Sequence, residues 1–157
     1  MTIASGQLAP EFKLLNQDGQ PVALGDYKDK QSVLVYFYPR ASTPGCTVQA
    51  QGIRDHLTEL AALNTVVLAI SPDPVAKIKK FVDKYSLNFN LLSDPDHQIA
   101  EAYGVWGLKK FMGKESMGII RTSFIIDMNG MIVDTLPKFT TKNHHAVLLD
   151  FLNNHLD

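Results

Sequence analysis

A chain of 157 residues with net charge −1, 45% apolar and 20% charged residues has the composition of one globular domain (1–157), long enough to bury a core without staples. Charges of both signs are scattered along it, which excludes a dedicated nucleic-acid or polyanion binder, and no apolar run approaches bilayer length. Its single cysteine, Cys46, excludes an intrachain disulfide and a cysteine-based zinc site.

The first ten residues show neither a basic stretch nor an apolar one, so no signal peptide is read and the cytosol is the expected setting. Residues 12–24 predict a hairpin, FKLLN and PVAL around a turn at Gln17-Asp18-Gly19. Ser32 to Tyr38 (SVLVYFY) is short, rich in Val and aromatics, and apolar on both faces, the pattern of a central strand covered on both sides. After a Pro/Ser/Thr/Gly bend, one helix is predicted from Pro44 to about Leu63, with Thr43 as N-cap and Pro44 in the first turn. Its apolar stripe is Cys46, Ala50, Ile53, Leu57 and Leu60, and Asn64 ends it.

Thr65 to Ile70 (TVVLAI) reads as a second buried strand, parallel to the first. Ser71-Pro-Asp-Pro then opens a helix with Asp73 as cap, Pro74 at its first position, and Ile78, Phe81, Val82 and Tyr85 on its inner face. A short strand at Phe89–Leu92 and a helix from Asp94-Pro95 to Gly104 follow. Residues 105–120, with Gly107, Gly113 and Gly118, read as a long ordered loop. Strands at 121–128 and 131–136 meet at Asn129-Gly130, and a helix at 141–155 closes the chain with Val147, Leu148, Phe151 and Leu152 inward. The expected fold is α/β, a mixed central sheet with helices on both faces and an N-terminal hairpin.

Cys46 supports two readings. Free cysteines are among the most buried residues, and Cys46 lies on an apolar stripe, which suits a structural filler. Against that, it sits in the first turn of a helix, where unpaired N–H groups and the helix dipole favour an anion. Thr43, three residues earlier, can place a hydroxyl beside the sulfur as a hydrogen-bond donor.

The pattern Pro39-x-x-x-Thr43-x-x-Cys46, set in YFYPRASTPGCTVQAQGIRD, resembles the active-site motif of the peroxiredoxins, in the PrxQ-like branch named for bacterioferritin comigratory protein. The likeness extends to LLSDPDHQIAEAYGVWG (91–107), FMGK (111–114) and RTSFIIDMNG (121–130). It implies a thioredoxin-like fold and thiol-dependent reduction of hydrogen peroxide and organic hydroperoxides, without cofactor or metal. Cys46 would attack the peroxide and become a sulfenic acid. Thr43 would hold the peroxide in line, and Pro39 and Pro44 would wall the thiol from water. Arg121, by position alone an ordinary strand-end arginine, matches the family's arginine opposite the cysteine; it would favour the thiolate and polarise the peroxide. The branch is often monomeric, and a monomer is expected.

Many members of this branch carry a resolving cysteine five residues after the first, where this chain has Gln51. Five residues of helix rotate by roughly 140° and rise about 7.5 Å, so such a pair could bond only if the helix unwound. Gly52, at a helix-interior cost of about 1 kcal/mol, would ease unwinding or else pack closely against the sheet. With one cysteine, the sulfenic acid must be resolved by an external thiol (thioredoxin, glutaredoxin or glutathione) or by Cys46 of another chain.

A cysteine hydrolase would need a histidine beside the thiol. His56 lies about 15 Å further along the same helix, and nothing in the spacing of His97, His144, His145 or His155 brings one there. His97, His144 and His145 are read as solvated helix residues rather than metal ligands. Trp106, Phe111 and Met112 either shape one wall of the active-site mouth or anchor their loop on the core. The rival to an enzyme is a thioredoxin-fold binding or holdase protein in which Cys46 is a structural remnant.

Overall fold

The computed structural model describes residues 5–111, 113–136 and 140–155. Strand β1 (Lys13–Asn16) and β2 (Pro21–Ala23) form the expected hairpin, with Gly19 at φ +74° in its turn. Strand β3 (Ser32–Phe37) runs into helix α1 (Pro44–Asp55) and α2 (Leu57–Ala62). Strand β4 (Thr65–Ser71), α3 (Val75–Tyr85), β5 (Asn90–Ser93) and α4 (Gln98–Ala102) follow. The chain continues through β6 (Trp106–Phe111), β7 (Lys114–Ile119), β8 (Thr122–Ile126), β9 (Ile132–Thr135) and α5 (His144–His155).

Seven strands make one mixed sheet in the order β2-β1-β5-β4-β3-β8-β9, in which β3, β4 and β5 are parallel and β8 is antiparallel to β3. Alternation along β3 sorts the core into two layers. Leu34, Tyr36 and Tyr38 face Cys46, Ala50 and Ile53 of α1, Leu60 of α2, Ile78 and Phe81 of α3, and Leu148 and Leu152 of α5. Val33, Val35 and Phe37 face Phe12, Ala100 and Tyr103 on the other side. Each fully buried Leu, Ile or Phe contributes about 1.5–3 kcal/mol. No helix among the described residues is long and apolar enough to cross a membrane.

Several expectations are corrected. Residues 105–120 are not a loop: β6 and β7 form a separate antiparallel hairpin closed at Gly113, φ +82°. The glycines suggested a loop, yet Gly107 and Gly118 face each other across the hairpin. A Cβ on Gly107 would lie 2.9 Å from Ile120 Cδ1, and one on Gly118 would lie 3.2 Å from Lys109 Cδ, so bare backbone makes room for neighbouring side chains. Asp73 does not cap α3, whose N-cap is Pro74 with Val75 first in the helix. The Asp73 carboxylate is turned instead toward Ala41 and Ser71.

The predicted single helix from Pro44 breaks at His56 (φ −118°, ψ 13°). The His56 Nδ1–H donates to the Gly52 carbonyl at 2.8 Å, the acceptor its backbone N–H would use in an unbroken helix; that N–H turns to the Ile53 carbonyl instead. The His145 ring stacks on His56 with centroids 4.3 Å apart. It occupies the space beside Gly52, where a Cβ would meet His145 Nδ1 at 2.5 Å. Gly52 therefore seats a histidine of α5 rather than packing on the sheet.

The other histidines are not simply solvated either. His97 stacks face to face on Trp106, centroids 3.8 Å apart, which anchors the indole on the core as one sequence reading required. His144 is fully buried, with Nε2 2.7 Å from Ser123 Oγ and its ring edge against Tyr36. The side chains of Phe111 and His155, and Met112 altogether, lie outside the described residues.

Two outcomes follow from this packing. Gly52→Ala gains about 1 kcal/mol of helix propensity, but overpacking against the stacked ring costs about 1–3 kcal/mol, so the variant is expected to be less stable; a denaturant midpoint at or above that of the parent would show that the ring simply swings aside. Burial, then the charge of Arg121, pushes the His144 pKa down from 6.5 to about 3. Between those values the unfolded chain binds a proton that the native state refuses, so stability falls as pH drops through the window, at up to about 1.4 kcal/mol per unit. Urea midpoints of the parent should fall more steeply than those of His144→Gln as pH is lowered from about 6.5 to 4, and parallel curves would contradict the assignment.

Candidate active site

The site forms where β3 ends and α1 begins. Pro39 is half-buried beyond the strand, and the chain turns through Ser42 at φ +65°, a left-handed conformation that costs a non-glycine residue about 1–3 kcal/mol. Asp73 holds the turn: its Oδ2 accepts the Ala41 N–H at 2.7 Å and the Ser71 hydroxyl at 2.9 Å, while its carbonyl accepts Ser93 Oγ–H at 2.6 Å. The bend is thereby tied to the ends of β4 and β5.

Thr43 occupies the N-cap position in extended conformation, and its carbonyl accepts the Thr47 N–H at 2.9 Å. Its side chain does not cap the helix; the hydroxyl donates to the Arg40 carbonyl at 2.8 Å, leaving Oγ1 as an acceptor at the mouth of the site. Pro44 is the exposed first residue of α1, where its missing N–H costs nothing. Cys46 follows in the same turn, only 2% exposed, its sulfur beside the helix N-terminus.

Arg121, immediately before β8, spans the gap between that strand and α1. Its Nη2 lies 3.4 Å from Cys46 Sγ, and its Nη1 donates to Gln49 Oε1 at 2.5 Å. Cys46 and Gln49 are three residues apart on one helical face, so the planar guanidinium meets both with one fork. The helix dipole and a fixed cation thus converge on one sulfur, an arrangement that stabilises negative charge developing beside it. The structure brings together Cys46 and Arg121 in direct contact and sets Thr43 and Pro44 in the N-cap and first turn that carry Cys46; Pro39 lines the adjoining groove.

That groove, about 420 Å³, is lined by Pro39 and Pro72 and, from the β6–β7 hairpin, by Trp106, Lys109, Met117 and Ile119. Trp106 therefore both anchors the hairpin and shapes the groove. Burial and then the Arg121 charge hold the Lys109 ammonium below the usual lysine range, while Cys46 pulls the other way.

Gln49, Asp73 and Lys109 escaped the sequence reading. Gln49 carried a signal, since a polar residue on the stripe of Cys46 and Ala50 must find a buried partner, and it is 1% exposed. Asp73 was legible only as a helix cap, and Lys109 lay in a segment read as loop.

Residues 5–135 match the AhpC/TSA family. The chain is 52% identical over 152 residues to the putative peroxiredoxin bcp of Haemophilus influenzae, covering 97% of both chains. It is also 52% identical over 153 residues to peroxiredoxin Bcp of Escherichia coli, covering 98% of this chain and 97% of that one. Its fold is similar to the crystal structure of peroxidoxin BcpB from Mycobacterium tuberculosis, with a TM-score of 0.87, 32% identity and 99% of each chain covered. Matches of this extent establish that the chain belongs to the AhpC/TSA family, as a peroxiredoxin of the bacterioferritin comigratory protein branch with a thioredoxin-like fold and thiol-dependent peroxidase activity.

Proposed function

We propose that Cys46 is the peroxide-reducing thiol of this enzyme and that an external thiol completes its cycle. The observation that carries this reading is the Arg121 guanidinium 3.4 Å from Cys46 Sγ at the first turn of α1. The thiolate attacks one peroxide oxygen; an S–O bond forms, the O–O bond breaks, and the sulfur is oxidised to a sulfenic acid while the other oxygen leaves as an alcohol or water after taking a proton. Arg121 stabilises the charge passing from sulfur to the leaving oxygen. Thr43 Oγ1, its own proton committed to Arg40, accepts the peroxide O–H and orients the O–O bond. Pro39 and Pro44 limit water at the mouth and contribute no N–H to compete for the substrate.

Substrates are hydrogen peroxide and organic hydroperoxides. With Gln51 five residues along and a single cysteine in the sequence, the sulfenic acid condenses with an incoming thiol to a mixed disulfide and water, and a second thiol releases Cys46. Thioredoxin, glutaredoxin or glutathione supplies those thiols. Residues 1–157 act as one domain and, as the resemblance to this branch implies, as a monomer. A lone reactive thiol suits the reducing cytoplasm.

Two measurements test the reading. Stoichiometric hydrogen peroxide should add one oxygen to the intact mass, lost in Cys46→Ser; a thiol that stays unmodified would sink the proposal. Arg121→Ala should slow Cys46 oxidation by about 10²-fold, the usual cost of removing a donor aimed at developing charge; an unchanged second-order rate would remove Arg121 from the site.

A further inference from the structure

Peroxide chemistry at Cys46 depends on where Arg121 stands, yet Arg121 precedes β8 and its cysteine partner begins a helix 75 residues earlier in the chain. The strand register shows what bears on that position. Across the antiparallel β3–β8 pair Tyr36 faces Ser123, so both side chains lie on the sheet face covered by α1 and α5. Arg121 is two residues before Ser123, on the same face and about 7 Å along the strand.

His144, the first residue of α5, sits over that pair. Its Nε2 is 2.7 Å from Ser123 Oγ, and its ring meets the Tyr36 ring edge-on with centroids 5.2 Å apart. Tyr36 belongs to the apolar cluster that also contains Cys46. The turn just before α5 reaches the catalytic helix as well. Thr141 Cγ2 lies 3.5 Å, and Arg121 Nη2 3.6 Å, from where a Cβ on Gly45 would stand. Thr140 and Asn143 brace that turn, each side chain accepting the other's backbone N–H at 3.1 and 2.7 Å.

We infer that His144 is a positioning residue for Arg121: by bonding Ser123 and packing on Tyr36, it sets the spacing of β8 and α5 at which the guanidinium reaches both Cys46 Sγ and Gln49 Oε1. Burial keeps its imidazole neutral, so it contributes a hydrogen bond and shape without a second cation competing for the thiolate. His144 is buried against Ser123 and Tyr36 and is given no part in binding the peroxide. The inference rests on the role proposed above for Arg121.

The test is a double-mutant cycle read by stopped-flow oxidation of Cys46 with hydrogen peroxide, with circular dichroism confirming the fold of each variant. His144→Leu keeps the volume and removes the hydrogen bond. It should slow oxidation by at least ~10-fold, because a displacement of about 1 Å at a reacting centre can cost 10²-fold. In an Arg121→Ala background the same change should cost less than ~2-fold, since the group it positions is gone. His144→Gln, whose amide reaches the place of Nε2, should restore most of the rate. Equal effects in both backgrounds, or no effect in the parent, would overturn the inference, because a residue that merely stabilises the fold acts regardless of Arg121. If His144→Leu fails to fold, Ser123→Ala removes the same bond and is read by the same cycle. An Arg121→Ala variant that oxidises at the parental rate refutes the proposed role of Arg121 itself; a slow Arg121→Ala with a fast His144→Leu refutes only the positioning.

Discussion

Strand β3 is paired on both edges, parallel to β4 and antiparallel to β8, with Phe37 opposite Ile70 on one side and Thr122 on the other. Those two registers fix what surrounds the thiol. The first places Ser71, and so Asp73, beside the bend that leads into α1; the second delivers Arg121 to the start of that helix. Because side chains alternate with period two, a one-residue slip of β8 would turn Arg121 and Ser123 to the opposite face and bring Thr122 to the sulfur. The apolar segregation of the two layers, Tyr36 and Ile125 on one face against Val35 and Phe124 on the other, makes such a slip costly. Register, held by core burial, is what places the cation.

Within that frame the site is held at three points by groups other than Cys46, Thr43 and Arg121. Asp73 ties down a bend that includes a left-handed serine, so the strained turn is supported by two hydrogen bonds to one carboxylate. Gln49 occupies the second prong of Arg121, and a guanidinium with both prongs engaged has little freedom to swing away. On the far side α5 presses against α1 through His145 at Gly52 and against β8 through His144 at Ser123. Adjacent histidines on one helix thus reach two different elements, since neighbouring residues diverge around a helix by about 100°.

The outline of this arrangement was legible in the residues. Strand and helix types followed from apolar period and length: the two-sided run at 32–38, the Asp-Gly and Asn-Gly turns, and the stripe through Cys46, Ala50 and Ile53 all reappear in the fold. What misled was chemistry with more than one local reading. Gly107, Gly113 and Gly118 suggest a loop as readily as a hairpin whose neighbours need bare backbone. Asp73 before a proline and a helix reads as a cap until Ala41 arrives from elsewhere to claim it. His56 shows no breaking signal in sequence, yet its side chain takes the Gly52 carbonyl at the α1–α2 break, and the ring stacked on it comes from almost ninety residues away.

Local and countable features were settled by the sequence itself. A strand, a bend and a helix start place Cys46 in the first turn of a helix, because propensity and capping act within a few residues. A cysteine count of one leaves these 157 residues no second sulfur for a disulfide, which is why the cycle proposed above draws on an external thiol. By position alone Arg121 reads as a strand-end arginine, and only the resemblance sets it opposite Cys46; the tertiary structure supplies the contact itself and what steadies it. Arg121, Gln49, Asp73 and His144 acquire their roles through strand register and helix packing, and both are set by the burial of side chains far apart in sequence rather than by their neighbours along the chain.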